Sequence, residues 1–208
     1  MNSIDILLPL LAYLLGSIPI GWIIARLVFK TDIRHHGSGN IGATNALRQF
    51  GTTIGILVML LDMTKGILAV LFAKSAFGVG HPLVVLCGLL AILGHVFPVW
   101  LKFKGGKGVA TAAGVFVALS PLNLLIGLLV FVVMVAITKY VSVGSIVAAL
   151  SLLLFHLIDL IRGSSRDYAL LALVFVVVAM IIYKHRTNIS RLRNGTENKI
   201  SFSNKGKA

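Results

Sequence analysis

Cysteine appears once in this chain, at Cys87 within an apolar run, which excludes disulfides, thiolate metal sites and iron–sulfur clusters. Carboxylates are nearly as scarce. The six are scattered as Asp5, Asp32, Asp62, Asp159, Asp167 and Glu197, so no group of them is spaced to hold magnesium or calcium. No His/Glu set has zinc spacing. The alternating polarity of an outer-membrane barrel is missing too, because the apolar runs are continuous. Any chemistry is therefore expected to need neither metal nor cofactor and to work through cations and hydrogen bonds.

What the chain has in abundance is hydrocarbon. Of its 208 residues 58% are hydrophobic and only 12% charged, and the mean hydropathy is +0.99. This composition fits a multi-span membrane protein, an all-α bundle forming a single domain over 1–208 with a basic tail at 185–208. The net charge of +13 raises nucleic acid as a partner. Basic and aromatic residues do not alternate along any soluble segment, so no nucleic acid is expected. An anionic leaflet of membrane lipids or small anionic substrates account for the charge better. The N-terminal run MNSIDILLPLLAYLLG lacks a basic leader and a small-residue cleavage site. Its positive charges follow it, so it reads as a retained first span that starts outside.

Seven transmembrane helices fit the apolar pattern: 4–29, 52–73, 82–101, 109–120, 121–138, 143–160 and 168–184. With the N-terminus outside, the C-terminus is cytoplasmic. Fifteen of the nineteen Lys and Arg residues then fall inside; Lys74, Arg162 and Arg166 fall outside, and Lys65 lies within a span. The fourth helix is short, since twelve residues give about 18 Å of helix against roughly 30 Å of hydrocarbon. Ser120-Pro121 reads as a cap and first-position pair, which starts a new helix there. Ser142 is expected to cap the sixth helix, and Ser165 or Asp167 the seventh. A short helix entered from an irregular glycine loop at membrane depth implies a polar pocket open to the cytoplasm.

Three polar clusters fall on that same face: GSGNIGATN at 37–45 followed by Arg48, KFKGGKGVAT at 102–111, and HRTNISRLRNGTENK at 185–199. Glycines let backbone amides approach a ligand, short Ser, Thr and Asn side chains hydrogen-bond, and Lys and Arg supply charge. Together they suit phosphate-bearing molecules. In the second cluster Gly105, Gly106 and Gly108 are expected to turn their amides outward beside Lys104 and Lys107, with Thr111 following. It is not a Walker A loop, as GxxxxGK[ST] is not satisfied. A plain juxtamembrane basic loop is the competing reading. In the first cluster, Ser38 or Asn40 reads either as a ligand or as the cap of a short interfacial helix ending at Gly51. Arg48 would project from that helix to clamp a phosphate. In the third, His185 and Asn188 share a helix face, and His185 reads as a base, a phosphate ligand or a solvated helix-end residue. Asp62 and Lys65 sit one turn apart within a span, either functional or a structural pair, and His95 lies near the inner interface.

The clusters, their order and their spacing, with DMTKG and GHVFP between them, resemble the bacterial membrane-integral acyl-phosphate:glycerol-3-phosphate acyltransferases, the PlsY type. The resemblance covers nearly the whole chain. It implies transfer of a fatty acyl group from acyl phosphate to the 1-hydroxyl of glycerol 3-phosphate, giving lysophosphatidic acid and phosphate for phospholipid synthesis. It also implies a bacterial inner-membrane location with the site facing the cytoplasm. Catalytic roles carry over onto Ser38, Arg48, Lys104, His185 and Asn188, and substrate binding onto Asn40, Thr44, Asn45, Gly105, Gly106, Lys107, Gly108, Thr111 and Ser142. Glu197 matches a position that looks architectural. An organic-phosphate transporter is the rival reading, disfavoured because the outer halves of the spans are almost purely apolar. A scaffold that binds acidic lipids through the tail is a third.

Overall fold

The computed structural model describes residues 2–164 and 167–200, all of whose regular elements are helical. In chain order these are α1 (Ser3–Ser17), α2 (Ile20–Leu27), α3 (Ala43–Phe50), α4 (Thr52–Phe77) and α5 (Pro82–Val96), then α6 (Val109–Leu119), α7 (Pro121–Thr138), α8 (Val141–Ile161), α9 (Tyr168–Lys184) and α10 (Arg186–Arg193). Ser165, Arg166, Lys205, Lys207 and the rest of 201–208 lie outside the described residues.

Four segments are long and apolar enough to cross a bilayer: Thr52–Phe77, Pro82–Leu101, Pro121–Thr138 and Val141–Ile161. Two bent pairs, α1 with α2 at 43° and α9 with α10 at 50°, bring the number to six if each is one span. The chain is thus a multi-pass membrane protein. Large side chains such as Leu125, Leu129, Val132 and Val133 stay exposed on α7, as a lipid-facing surface requires. With 11 residues, α6 is too short to cross by itself.

Several expected boundaries move, each for a local reason. The single helix expected at 4–29 breaks, because Pro19 has no N–H to donate and pushes Ile18 to an extended ψ of 113°. Lys65 Nζ donates to the Ile18 carbonyl at 3.0 Å and so satisfies that exposed chain end. Pro98 ends α5 before 101, and a short 3₁₀ turn follows over Val99–Leu101. Gly42, neither Ser38 nor Asn40, is the cap of α3. Ser142 lies inside the first turn of α8, whose cap is Tyr140, so its hydroxyl is free for another partner. Ser120 precedes Pro121 as expected but makes no side-chain capping bond. Asp167 does cap α9, its carboxylate accepting from the Leu170 amide at 2.8 Å.

Small residues bring the helix backbones together, since lipid offers no hydrophobic drive for helix pairing. A Cβ on Gly16 would lie 2.0 Å from the Ala91 carbonyl oxygen, and one on Gly94 2.3 Å from that of Tyr13, so α1 and α5 meet through these two glycines. The same holds for Gly66 against Thr111 and Gly114 against Met63, which set α6 close along α4. One apolar core gathers Val70, Ile92, Val115, Phe116 and Val174 from four helices. A smaller one, around Ala25, Ile33, Ile41 and Val58, seats α2 and α3 against α4. Gly114→Val is expected to destabilise the protein by about 1–3 kcal/mol or more, because a backbone carbonyl cannot yield. A thermal unfolding series in detergent checks this, and an unchanged Tm would show that α4 and α6 do not meet there.

Candidate active site

The three polar clusters converge on one cavity of about 190 Å³. Ser38, Asn40, Gly42, Ala43, Thr44, Asn45 and Arg48 form one wall; Lys107, Gly108, Val109 and Ala110 a second; His185, Asn188 and Glu197 a third. Asp62, His95, Ser142 and Ser145 complete the polar lining, and Met59, Met63, Leu128 and Phe131 supply apolar surface.

Asn45 builds the first wall. It is buried, and its amide donates to the carbonyls of Asn40 and His36 at 2.9 and 3.0 Å while its oxygen accepts from the Ser38 amide at 3.0 Å. These bonds fold the glycine-rich loop back on α3, and Asn40 Oδ1 adds one from the Gly42 amide at 2.8 Å. Upstream, Asp32 anchors the same loop between Arg26 and Arg34, at 2.9 and 2.7 Å. The Arg34 guanidinium holds the Asp32 carboxyl well below the usual carboxylate range. Arg48 then points into the cavity. Its Nη2 donates to the Asn198 carbonyl at 2.9 Å, but its Nε is buried with no hydrogen-bond partner among the described residues. Burial lowers the pKa of Arg48, yet arginine stays charged.

The second wall departs from expectation. The amides of Gly105 and Gly106 are not free for a ligand; they donate to the carbonyls of Val96 and His95 at 3.2 and 3.0 Å. A Cβ at Gly106 would come within 2.0 Å of His95 Nε2, so this glycine serves close packing on α5. Gly108, at φ 84°, takes the left-handed turn that opens α6, whose first N–H groups have no intrahelical partner. Lys104 is exposed and does not line the cavity; Lys107, three residues later, does. Thr111 is fully buried between α6 and α4, away from the lining. Lys104, Gly105, Gly106 and Thr111, expected as contact residues, are thus not among those that line this cavity. The loop runs with its glycines against α5 and only its last lysine turned to the cavity.

Glu197 joins the third wall to the others. Its Oε1 accepts from Asn188 Nδ2 at 2.6 Å and Ser142 Oγ at 2.9 Å, and its Oε2 accepts from Arg191 Nε at 2.7 Å. Lys107 Nζ donates to Asn188 Oδ1. Burial alone would raise the Glu197 pKa, but these three bonds outweigh it and hold the carboxyl below its ordinary range. The Lys107 amine is lowered too, but in its case this disfavours the charged form. Burial, partly offset by Glu197, with Arg191, Arg48 and Lys184 repelling, pushes it down to about 8. His185 is buried at the end of α9, and its Nδ1 lies 2.8 Å from the Ile181 carbonyl oxygen. A carbonyl only accepts, so Nδ1 carries the proton and Nε2 keeps a lone pair. Beneath these groups Asp62 pairs with Lys65 at 2.7 Å, and His95 Nδ1 is 3.4 Å from the same carboxylate oxygen.

A sequence model described as glycerol-3-phosphate acyltransferase matches residues 6–195. The chain belongs to the glycerol-3-phosphate acyltransferase family. It is 47% identical over 196 residues to glycerol-3-phosphate acyltransferase 2 of Bacillus anthracis, covering 94% of this chain and 99% of that one. To the Geobacter sulfurreducens enzyme it is 47% identical over 195 residues, covering 94% and 97%. Among solved structures, it resembles the glycerol 3-phosphate form of an integral membrane glycerol 3-phosphate acyltransferase, PlsY. The TM-score is 0.87 at 43% identity, with 95% of this chain and 96% of that one covered. The lysophosphatidic acid form gives 0.83 at 41% identity. The chain is thus an enzyme of that family, embedded in a membrane.

Sequence reasoning passed over a residue that supports the cavity from outside its lining. Arg191 was not singled out, although it lies three residues from Asn188 on α10. Glu197 read as architectural, and it ties the walls together: it lines the cavity and accepts from Ser142 and Asn188 of the lining and from Arg191 behind it. A lone glutamate in a segment otherwise rich in cations was the available signal. Nor is the described part of the tail free. Past α10 it returns so that the Ile200 amide donates to the Lys139 carbonyl at 2.8 Å. Glu197→Ala is expected to release this strap and to speed hydrogen exchange at 197–200. Unaltered protection at Ile200 would mean that the strap is held by something else.

Proposed function

We propose that this enzyme moves a fatty acyl group from acyl phosphate to the 1-hydroxyl of sn-glycerol 3-phosphate, releasing lysophosphatidic acid and inorganic phosphate. We further propose seven spans, with α6 as a short fourth, the N-terminus outside and the C-terminus cytoplasmic, in a bacterial inner membrane. The observation that carries the chemistry is a cavity lined by two cations from different walls: Lys107, and Arg48, whose Nε has no hydrogen-bond partner among the described residues. Its nearest carboxylates, Glu197 and Asp62, are already paired. Such a space favours two phosphates that would otherwise repel each other.

Convergence of all three polar clusters on this one cavity supports a single membrane face for them, and charge asymmetry supports that face being cytoplasmic. The transporter reading is not favoured by a family named for acyl transfer.

In the reaction the glycerol hydroxyl oxygen attacks the acyl carbonyl carbon. The new ester C–O bond forms, the C–O bond to phosphate breaks, and phosphate leaves with the bonding pair. Arg48, Lys107 and the open amides at the start of α6 neutralise the two phosphates and the developing oxyanion. Lys107 takes the part first expected of Lys104. Ser38 and Thr44 offer hydroxyl donors to the glycerol phosphate, Ser142 Oγ, whose proton goes to Glu197, can accept from a glycerol hydroxyl, and Asn188 holds Lys107 in place. The lone pair on His185 Nε2 suits it to receive the hydroxyl proton, the alternative acceptor being a substrate phosphate oxygen. The acyl chain follows the apolar side of the cavity, past Leu128 and Phe131, where Leu128 is exposed to the membrane side.

Lys107→Ala is expected to lower kcat/KM about 10²–10³-fold, while Lys104→Ala stays within a few-fold of wild type. In the substrate-free enzyme the Lys107 amine loses its charge as pH rises through about 8. So kcat/KM should hold level below that pH and fall above it, and Lys107→Arg, which cannot deprotonate in this range, should abolish the alkaline fall. Equal losses in the two alanine variants, or an alkaline limb that survives in Lys107→Arg, would count against this role. Purified His185→Ala should lose roughly 10²-fold or more in kcat. Retention of most turnover would assign the proton to substrate phosphate.

A further inference from the structure

A second cavity, of about 70 Å³, continues from the first; Val109, Ala113 and Phe131 line both. It runs between α6, α7, α8 and α9 and its lining is almost wholly apolar, including Leu124, Leu152 and Phe116. Hydrocarbon would end there for a reason visible in the structure. One turn beyond Leu152 on α8 comes His156, buried, with its ring 6.2 Å from that of Phe116. Its Nδ1 donates to the Leu152 carbonyl at 2.8 Å, and its Nε2 is buried without a partner among the described residues. Asn123, next to Leu124 on α7, lies 3.5 Å from the same imidazole and donates to Asp159 Oδ2 at 2.8 Å. These polar groups stand amid the otherwise apolar far ends of α7 and α8, and neither the reaction nor the phosphate cavity uses them.

We propose that the Asn123–His156–Asp159 cluster, with Phe116 in front of it, is a ruler that closes the acyl slot and sets which chain lengths the enzyme accepts. The proposal rests on the acyl-transfer reading above. A chain shorter than the slot leaves Leu124 and Leu152 without contact. A longer one presses its methyl end on an amide and an imidazole nitrogen that it can only desolvate, so it is refused. The scale suits a fatty chain: from Ser145, in the shared part of the two cavities, to His156 is eleven residues of α8, about 16 Å. Each methylene seated or refused in an apolar pocket changes kcat/KM by roughly ten-fold or more.

The test uses full-length protein in detergent with saturating glycerol 3-phosphate and a series of saturated acyl phosphates from short to long. His156→Ala deepens the slot and removes its polar end. It should raise the ratio of kcat/KM for the longest donors over the shortest by about ten-fold. Leu152→Phe fills the slot from the other direction and should lower the same ratio by a similar factor. KM for glycerol 3-phosphate should be unchanged in both. Profiles that parallel wild type in both variants would overturn the ruler. If His156→Ala does not fold, Leu152→Phe decides alone, an unchanged profile counting against the proposal. Should only acyl-CoA or acyl carrier protein support turnover, the donor assigned above is wrong, and the same comparison run with those thioesters still decides the ruler.

Discussion

A carboxylate inside a cationic cavity is tolerated only if each of its oxygens has a partner, and that requirement organises the site. Glu197 meets it with Ser142 and Asn188 on one oxygen and Arg191 on the other. Through Asn188 the network extends to Lys107, so the start of α8, the loop before α6 and α10 are fixed relative to one another. Glu197 offsets part of the repulsion among Lys107, Arg48 and Arg191 before any substrate arrives. It does so without lying bare to the anions that the cavity attracts. An anion-binding site of this density would otherwise repel itself apart.

A second constraint is that helix backbones must touch. Gly16, Gly94, Gly66 and Gly114 let α1 meet α5 and α6 meet α4 at distances that admit no side chain. Gly105 and Gly106 extend the same device into the loop, which lies on the end of α5 and spends its amides on helix carbonyls. A loop that looks like a phosphate cradle is therefore mostly a clasp. Its ligand-facing content reduces to Lys107, Gly108 and the opening of α6.

Much of this was legible in the chain. Helix bounds at Thr52, Pro82, Val109, Pro121, Tyr168 and Lys184 follow from apolar runs, prolines and glycines, which act locally. The grouping of Ser38, Arg48, His185, Asn188 and Ser142 followed from placing three clusters on one face. The misreadings are of one kind. Lys104 and Lys107 both precede a glycine in the same loop, and only its folded path, with Lys102 and Phe103 left-handed at φ 53° and 61°, brings Lys107 and not Lys104 to the cavity. Thr111 looked polar and available, but one helical turn carries it onto α4.

Composition and charge order by themselves determined a membrane-embedded helical bundle, its polar face and the phosphate chemistry of that face, because solvation by lipid or water acts on each residue independently of its distant partners. The tertiary structure alone decided which lysine faces the cavity, that Glu197 binds its walls together, and that Asn123, His156 and Asp159 of α7 and α8 come together. Those outcomes depend on distances between groups as far apart in sequence as Lys107 and Asn188. Such distances are set by packing, and no local rule in the chain encodes them.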